Sequence, residues 1–198
     1  MLTDVARLVR PDNYIGGNQG AANIWAKAHF SDDHEIMQSV SEAIRREAEA
    51  CDHLQAFQIC HSIAGGTGSG LGSKILTLLA NNYQDQLIET STIFPSTTSP
   101  NSVVEPYNAV LTMYSLTTDS GLVKVFDNDS ISKQANTPAS HDFSYINDLI
   151  SQAMSAVTSG FRFPSYNGFG LRKLSTNILP YSWLHFLMVS MGMCQNTG

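Results

Sequence analysis

The chain has 198 residues, of which 42% are hydrophobic and 14% charged, with a formal net charge of -6 and a pI near 5.4. This composition is typical of a globular protein with a buried core, and the acidic balance disfavours general nucleic-acid binding, which needs a basic face. Because we find no apolar run of roughly 18 residues and no apolar signal-peptide core, we expect a cytoplasmic protein with no nucleic-acid or membrane partner.

The first half of the chain predicts two helices around a short strand. "SDDHEIMQSVSEAIRREAEACD" has a helical stripe and an N-cap at Ser31 or Asp32; the stripe comprises Ile36, Val40, Ile44 and Ala48. "LQAFQICHSI" is typical of a buried strand. "SGLGSKILTLLANNY" then predicts a helix whose inward side chains are Leu71, Ile75, Leu78 and Leu79.

The second half repeats this alternation. "QLIETSTIF" is strand-like and stops before Pro95, and "SVVEPYNAVLTMYSLT" is helix-like with Pro106 in its first turn. "GLVKVFDND" predicts a strand, and Ser130–Asp142 is the best candidate for a linker. Two helices, "YINDLISQAMSAVTSGF" and "LRKLSTNIL", and a last strand, "WLHFLMV", complete the series. Strands alternating with helices predict an α/β fold, a mostly parallel sheet with helices on both faces.

The stretch "AGGTGSG", from Ala64 to Gly70, falls at a strand-to-helix turn. Backbone N–H groups in such a turn form a concave anion site, and the following helix contributes about half a positive charge at its N-terminus. Glycines keep side chains out of this space, while Thr67 and Ser69 add hydroxyl donors. The pattern therefore favours a phosphate-binding turn.

The same residues allow three other interpretations. A GxxxxGK[ST] loop needs a lysine beside its last glycine, and Lys74 comes one helical turn after Gly70. A dinucleotide fingerprint needs G-x-G-x-x-G, which the glycines do not match, although Glu89 has the right separation for its acidic residue. A glycine-rich turn that binds nothing also stays open.

Several motifs resemble one family. "GGTGSG" after "LQAFQICHS" resembles the signature of the tubulins and their bacterial cell-division relatives. In the same order, "RPDNY", "GAANIWAKAHF", "EAEACDHLQAFQ", "VVEPYNA", "FDND", "MSAVTSGFRFP" and "LRKLSTNILPYSWLHF" are similar to family text, and the last two resemble the β-tubulin version. The resemblance extends from about residue 9 to residue 187. It implies a Rossmann-like GTPase nucleotide-binding fold that is incomplete at the N-terminus.

The resemblance also implies a domain division. Residues 1–160 correspond to a partial GTP-binding domain lacking its first strand and helix. Residues 161–198 correspond to the joint loop, the central helix and the start of the intermediate domain. The family acid that lies near magnesium is expected upstream of Met1, so any Mg²⁺ would lack that contact.

Carried over by position, the resemblance assigns the phosphates of GTP or GDP to two loops. The glycine turn supplies Ser62, Ala64, Gly65, Gly66, Thr67 and Gly68. The "GAAN" loop, expected to face the γ-phosphate, supplies Gly20, Ala21, Ala22 and Asn23. Ala64 stands for a family glycine, GAA for GAG, and Ile24 for a second asparagine, so both loops are expected to be narrower or stiffer than usual.

Resemblance assigns the rest of the nucleotide to five residues. Asn101 and Glu105 are expected beside the ribose. Asn128 and Asn147 are expected to read guanine, because an amide both donates and accepts hydrogen bonds. Phe143 is expected to stack on the base.

Tubulins hydrolyse GTP at a joint, where a loop of the next subunit supplies acidic residues. In "FPSYNGFGLRKL" the corresponding positions are Lys173 and Gly170, so this loop lacks the acids, and Lys173 is expected to contact a partner's nucleotide without catalysing. No catalytic residue and no protein metal site are assigned. The implied function is a β-tubulin-like, GTP-binding subunit of cytoplasmic microtubules, joined to α-tubulin and other tubulins. The alternative is a non-hydrolysing interaction module or fragment that no longer binds nucleotide.

Overall fold

The computed structural model describes residues 9–17, 20–31, 34–96, 102–135, 143–163 and 170–190. The helices are α1 Trp25–His29, α2 His34–Glu49, α3 Gly72–Asn82, α4 Glu105–Asp119, α5 Asn128–Ala135, α6 Phe143–Arg162 and α7 Leu171–Ile178. The strands are β1 Ala56–Ser62, β2 Leu87–Phe94, β3 Leu122–Asp127 and β4 Phe186–Met188. A short 3-10 turn at Pro11–Asn13 precedes α1, and a π-helical turn at Thr67–Leu71 leads directly into α3.

The strands form one parallel sheet in the order β1-β2-β3-β4. Ser62 pairs with Ile93 and Phe94 pairs with Asp127, so the strands β1, β2 and β3 end at the same edge. In parallel α/β sheets, ligands bind outside this carboxyl edge. The predicted parallel sheet is confirmed.

Apolar side chains pack on both faces of the sheet. One cluster joins α3 and α4 to the sheet and comprises Ile63, Leu76, Leu79, Ile88, Leu116 and Val123. The other joins α6 to β3 and comprises Phe126, Ile146, Ile150 and Ala153. Val123 and Phe126 lie on opposite faces because successive strand residues alternate. The prediction of helices on both faces is therefore confirmed.

Two local predictions around Asp127 were wrong. The strand predicted through Asp129 ends at Asp127, and the first part of the predicted linker is helical through Ala135. Asp127 explains this early start, since its carboxylate accepts the backbone N–H groups of Asp129 at 3.3 Å and Ser130 at 3.1 Å. Such a side chain satisfies the first free donors of a helix.

The inward face of α3 is centred on Leu76 and Leu79, whereas Leu71, Ile75 and Leu78 are half-buried. The predicted cap at Ser31 lies three positions before His34, where α2 begins, and the Ser31 hydroxyl donates to Ala28 O at 3.3 Å. The other candidate cap, Asp32, lies outside the described residues. Among the helices that the structure describes, none has the length and apolar character needed to cross a bilayer.

Candidate functional site

The glycine turn lies where the sequence predicts it, between the end of β1 and a helix. Thr67 begins the π-helical turn, and no side chain caps it. The first backbone bond of this helix runs from Gly70 N to Gly66 O at 2.7 Å. Within the described ranges, the structure gives no protein acceptor for the backbone N–H groups of Gly65, Gly66, Thr67 and Gly68. Four consecutive donors at a helix N-terminus are thus without a protein acceptor among the described residues, although Gly66 itself is buried.

The carbonyl groups of the turn are occupied by neighbouring side chains. The Ser69 hydroxyl bonds Gly65 O and, at 3.1 Å, Gly66 O. His61 Nδ1 lies 2.9 Å from Gly68 O. A carbonyl oxygen only accepts, so Nδ1 carries the proton and Nε2 accepts from the Thr92 hydroxyl at 3.3 Å. Ser69 and His61 thus occupy the carbonyl oxygens of Gly65, Gly66 and Gly68.

Close backbone packing explains three of the glycines. A methyl group at Gly66 would lie 2.8 Å from Ala21 Cβ and from Ile24 N. At Gly68 it would lie 2.7 Å from Ser62 O, and at Gly70 it would lie 2.3 Å from Trp25 O. All three distances are too short for a real Cβ contact, so only glycine fits without movement.

The Gly20–Asn23 loop lies against the glycine turn. Ala22 and Asn23 adopt the left-handed conformation, with φ of 50° and 56°, and Ile24 N bonds Ala21 O at 3.0 Å to close the turn. Left-handed conformations are unfavourable for alanine because Cβ crowds the backbone. The structure thus brings together the two predicted phosphate loops, while the expected stiffness of the Gly20–Asn23 loop stays a prediction.

Asn108 connects the two loops, and sequence reasoning did not assign it a role. Its amide nitrogen donates to Asn23 O at 2.8 Å and to Ala64 O at 2.9 Å, while its Oδ1 accepts Trp25 N–H at 2.9 Å. The side chain is 3% exposed. The sequence held one signal of this role, because Glu105, Asn108 and Thr112 are spaced so that they share one face of a helix that begins within "VVEPYNA". The structure buries all three.

A cavity of about 660 Å³ borders this junction. From the predicted phosphate residues, Gly20, Ala21 and Thr67 line it. Its other walls come from Ile15–Gly17, from α1 and the two residues after it, from the start of α2 and from Leu71, and Lys27 is the charged member. The lining contains no carboxylate, and among the described residues no cluster of three or more His, Cys, Asp or Glu could hold a metal ion. The described residues that line the cavity therefore offer no carboxylate ligand to Mg²⁺.

Two further predicted residues lie at the same edge of the sheet. Glu105 is the first residue of α4 and is buried three positions before Asn108. Asn128 follows the end of β3 and is half-buried at the start of α5. Because neighbouring strands are about 4.8 Å apart, β3 ends roughly 10 Å from the glycine turn after β1. That separation suits the base end of a nucleotide whose phosphates lie at the turn.

The remaining predicted residues are not brought to the junction by the described contacts. Asn147 is exposed on α6, and Lys173 is exposed on α7. Phe143 begins α6, but its side chain lies outside what the structure describes, as does all of Asn101. The assignments of these four residues stay predictions.

The competing interpretations of the glycine stretch disagree with the geometry. Lys74 Nζ donates to Ser31 O at 3.2 Å, which joins α3 to the end of the α1 segment and leaves no P-loop lysine at the turn. Glu89 lies within β2 with its side chain 1% exposed, and it pairs with Lys124. A dinucleotide-binding acid would lie at the end of that strand.

A nucleophilic pair is also absent at Cys60 and His61. The two side chains point to opposite faces of β1, as adjacent strand residues must. Burial raises the pKa of the Cys60 thiol, although Lys124 and a bond to Ser91 oppose this. A thiol with a raised pKa is a poor nucleophile at neutral pH.

Comparisons with known proteins identify relatives of the chain. Residues 2–136 match the family model described as Tubulin/FtsZ family, GTPase domain. A "Tubulin beta chain" from Cicer arietinum is 40% identical over 198 residues, covering 97% of this chain and 43% of the relative. The chain therefore spans less than half the length of this curated relative.

Proposed function

The chain belongs to the Tubulin/FtsZ family, and on that premise we propose that it is a β-tubulin-like subunit that binds GTP or GDP at the glycine turn. The observation that carries the proposal is the row of four available backbone donors, Gly65 to Gly68, beside the Gly20–Asn23 loop. Donors of this kind at a helix N-terminus suit phosphate oxygens.

In this proposal each loop has a separate task. The N–H groups of Gly65, Gly66, Thr67 and Gly68 hold the α- and β-phosphates, with Ser62 and Ala64 at the entry to the turn. The Gly20–Asn23 loop faces the γ-phosphate. Ser69 and His61 keep the carbonyl oxygens of the turn away from the negatively charged ligand, which would otherwise be repelled.

The nucleoside end lies along the carboxyl edge of the sheet in this proposal. Glu105, which is buried at the start of α4, and Asn101 contact the ribose. Asn128 and Asn147 read guanine through their amides, and Phe143 stacks on the ring. Because Mg²⁺ finds no carboxylate among the cavity-lining residues, no step is assigned to the metal.

We do not assign hydrolytic activity to the joint loop. A lysine ammonium at neutral pH has no free electron pair with which to activate water, so Lys173 stabilises negative charge near a partner's phosphates instead. Adding the protein to α/β-tubulin polymer should therefore not raise phosphate release, and a stimulated rate would refute this part of the proposal.

The proposed partners are α-tubulin and other tubulin subunits, and the proposed location is the microtubule cytoskeleton of the cytoplasm. The low charged fraction of the chain, 14%, is compatible with a surface that becomes buried between subunits.

The binding proposal is tested by titrating the full chain with a fluorescent GTP analogue, with unlabelled GTP and ATP as competitors. Saturable binding that GTP displaces better than ATP is expected. Asn147→Ala should reduce the preference for guanine, whereas Gln152→Ala, which removes another exposed amide from α6, should leave it unchanged. If no saturable binding occurs at micromolar protein, the alternative of an interaction module without nucleotide is favoured.

A further inference from the structure

We propose that Asn108 is a positioning residue that fixes the Gly20–Asn23 loop against the glycine turn and thereby sets the preference for nucleoside triphosphate over diphosphate. The inference rests on the proposed function, because it concerns the same phosphate site. It goes further in naming a residue outside both loops that determines which nucleotide state the site prefers.

The bonding of Asn108 is complete. A neutral amide side chain offers two N–H donors and an acceptor oxygen. Both donors are used on carbonyl oxygens of different loops, Asn23 O and Ala64 O, and the acceptor oxygen is used on Trp25 N–H. The side chain is buried, so water does not replace these bonds when one is lost.

The bonds of Asn108 hold the part of the loop closest to the expected γ-phosphate. The following helix, α1, has its own contacts with α3 and the glycine turn. Trp25 Nε1 lies 3.4 Å from Ser73 Oγ, and His29 Nδ1 lies 3.3 Å from Gly70 O. Among the described residues, Asn108 is the one side chain bonded to Asn23, which is held in the left-handed conformation. Its loss should free the loop at Asn23 while α1 stays attached.

This arrangement predicts unequal effects on the two nucleotides. A diphosphate is held by the glycine turn alone, whereas a triphosphate also needs the Gly20–Asn23 loop at its correct distance from that turn. Loosening the connection between the loops therefore weakens triphosphate binding more than diphosphate binding. A purely structural role for Asn108 would weaken both by the same factor.

Asn108→Leu is the sharpest variant. It keeps the approximate size of the side chain and adds no charge beside the phosphates, but it removes the bonds to Asn23 O, Ala64 O and Trp25 N–H. The affinity for GTP should fall about tenfold, while that for GDP falls less than about threefold. Thr112→Val is the matched control, because Thr112 is buried one turn later on α4 and its hydroxyl bonds only Asn108 O within the helix, at 2.8 Å.

The ratio of GDP to GTP dissociation constants decides the matter. A lowered ratio in folded Asn108→Leu, with an unchanged ratio in Thr112→Val, supports the inference, and an unchanged ratio in Asn108→Leu overturns it. If the wild-type chain binds neither nucleotide, the proposed function fails and the inference fails with it. If Asn108→Leu does not fold, hydrogen exchange in the wild type decides: GTP should slow exchange at Trp25 N–H more than GDP does, and equal slowing would contradict the inference.

Discussion

Gly66 shows how a single residue controls the distance between the glycine turn and the Gly20–Asn23 loop. A Cβ at Gly66 would clash with Ala21 and Ile24, whereas no atom lies within 4 Å of the place where a Cβ would stand at its neighbour Gly65. The two glycines are adjacent in sequence and identical in chemistry. They differ only in what surrounds them, so they form a natural matched pair.

Gly66→Ala should lower the free energy of unfolding by about 1–3 kcal/mol, because the new methyl group must push the Gly20–Asn23 loop away. Gly65→Ala should change it by less than about 1 kcal/mol, or raise it slightly by restricting the unfolded chain. Chemical denaturation of the two variants measures the difference. Equal losses at both positions would show that the loops are not in contact.

The sequence predicted the glycine turn well but could not predict its supports. Glycine spacing and the flanking apolar runs identify the turn locally. Asn108 lies 44 residues from Ala64 and 85 residues from Asn23 along the chain, so its role depends on tertiary packing. The left-handed conformation of Ala22 could not be predicted either, because alanine rarely adopts it.

At the scale of elements, apolar periodicity predicted where the helices and strands lie, but it misjudged an element held by polar contacts. The helix α5 begins immediately after β3 because Asp127 satisfies its first backbone donors. When only apolar spacing is considered, Asn128 is assigned to the preceding strand and Ser130 to a linker. The domain boundaries expected from the resemblance stay predictions.

His61 connects β1 to the start of the helix and makes this junction sensitive to pH. Burial lowers the pKa of His61, although its bond to Gly68 O opposes the shift. Near pH 6.5, His61 therefore takes up a proton in the unfolded chain but not in the folded protein. The free energy of unfolding falls as the pH drops below about 6.5, and it levels off below the pKa of His61 in the folded protein.

In thermal unfolding, the wild-type midpoint should fall between about pH 7.5 and about pH 5.5 through this residue. His61→Gln should show a smaller fall over the same range, because it removes the group that titrates. If the midpoint depends on pH identically in the two proteins, a group other than His61 causes the pH dependence.

Glu89 and Lys124 form an ion pair between neighbouring strands, with their side chains 1% and 5% exposed. Gln58 Nε2 also donates to Glu89 at 3.2 Å. A buried charge that loses its partner is costly, whereas a pair replaced by uncharged side chains is not. Each of these buried charges is therefore tolerated only while its partner is present.

Lys124→Met should lower the free energy of unfolding by about 3–5 kcal/mol, because it leaves the Glu89 carboxylate uncompensated. Adding Glu89→Gln should restore most of this loss, and denaturation of the single and double variants measures the coupling. Additive losses in the double variant would contradict the description of a dependent pair.

For the whole molecule, the parallel order of the sheet places the glycine turn, the start of α4 and Asn128 at one carboxyl edge. This arrangement follows from strand–helix alternation, which the sequence shows. The positions of Asn147 and Lys173 relative to a nucleotide do not follow from it, because they lie on α6 and α7, away from the described loop contacts.

The central claim is that the backbone N–H groups of Gly65 to Gly68 bind the phosphates of a guanine nucleotide. Amide NMR spectra of the full chain during titration with GTP and Mg²⁺ test it most directly. We expect large, saturable shifts at these four amides and at the Gly20–Asn23 loop, with much smaller ones for ATP at the same concentration. Saturating GTP that leaves the four amide signals in place would contradict the account.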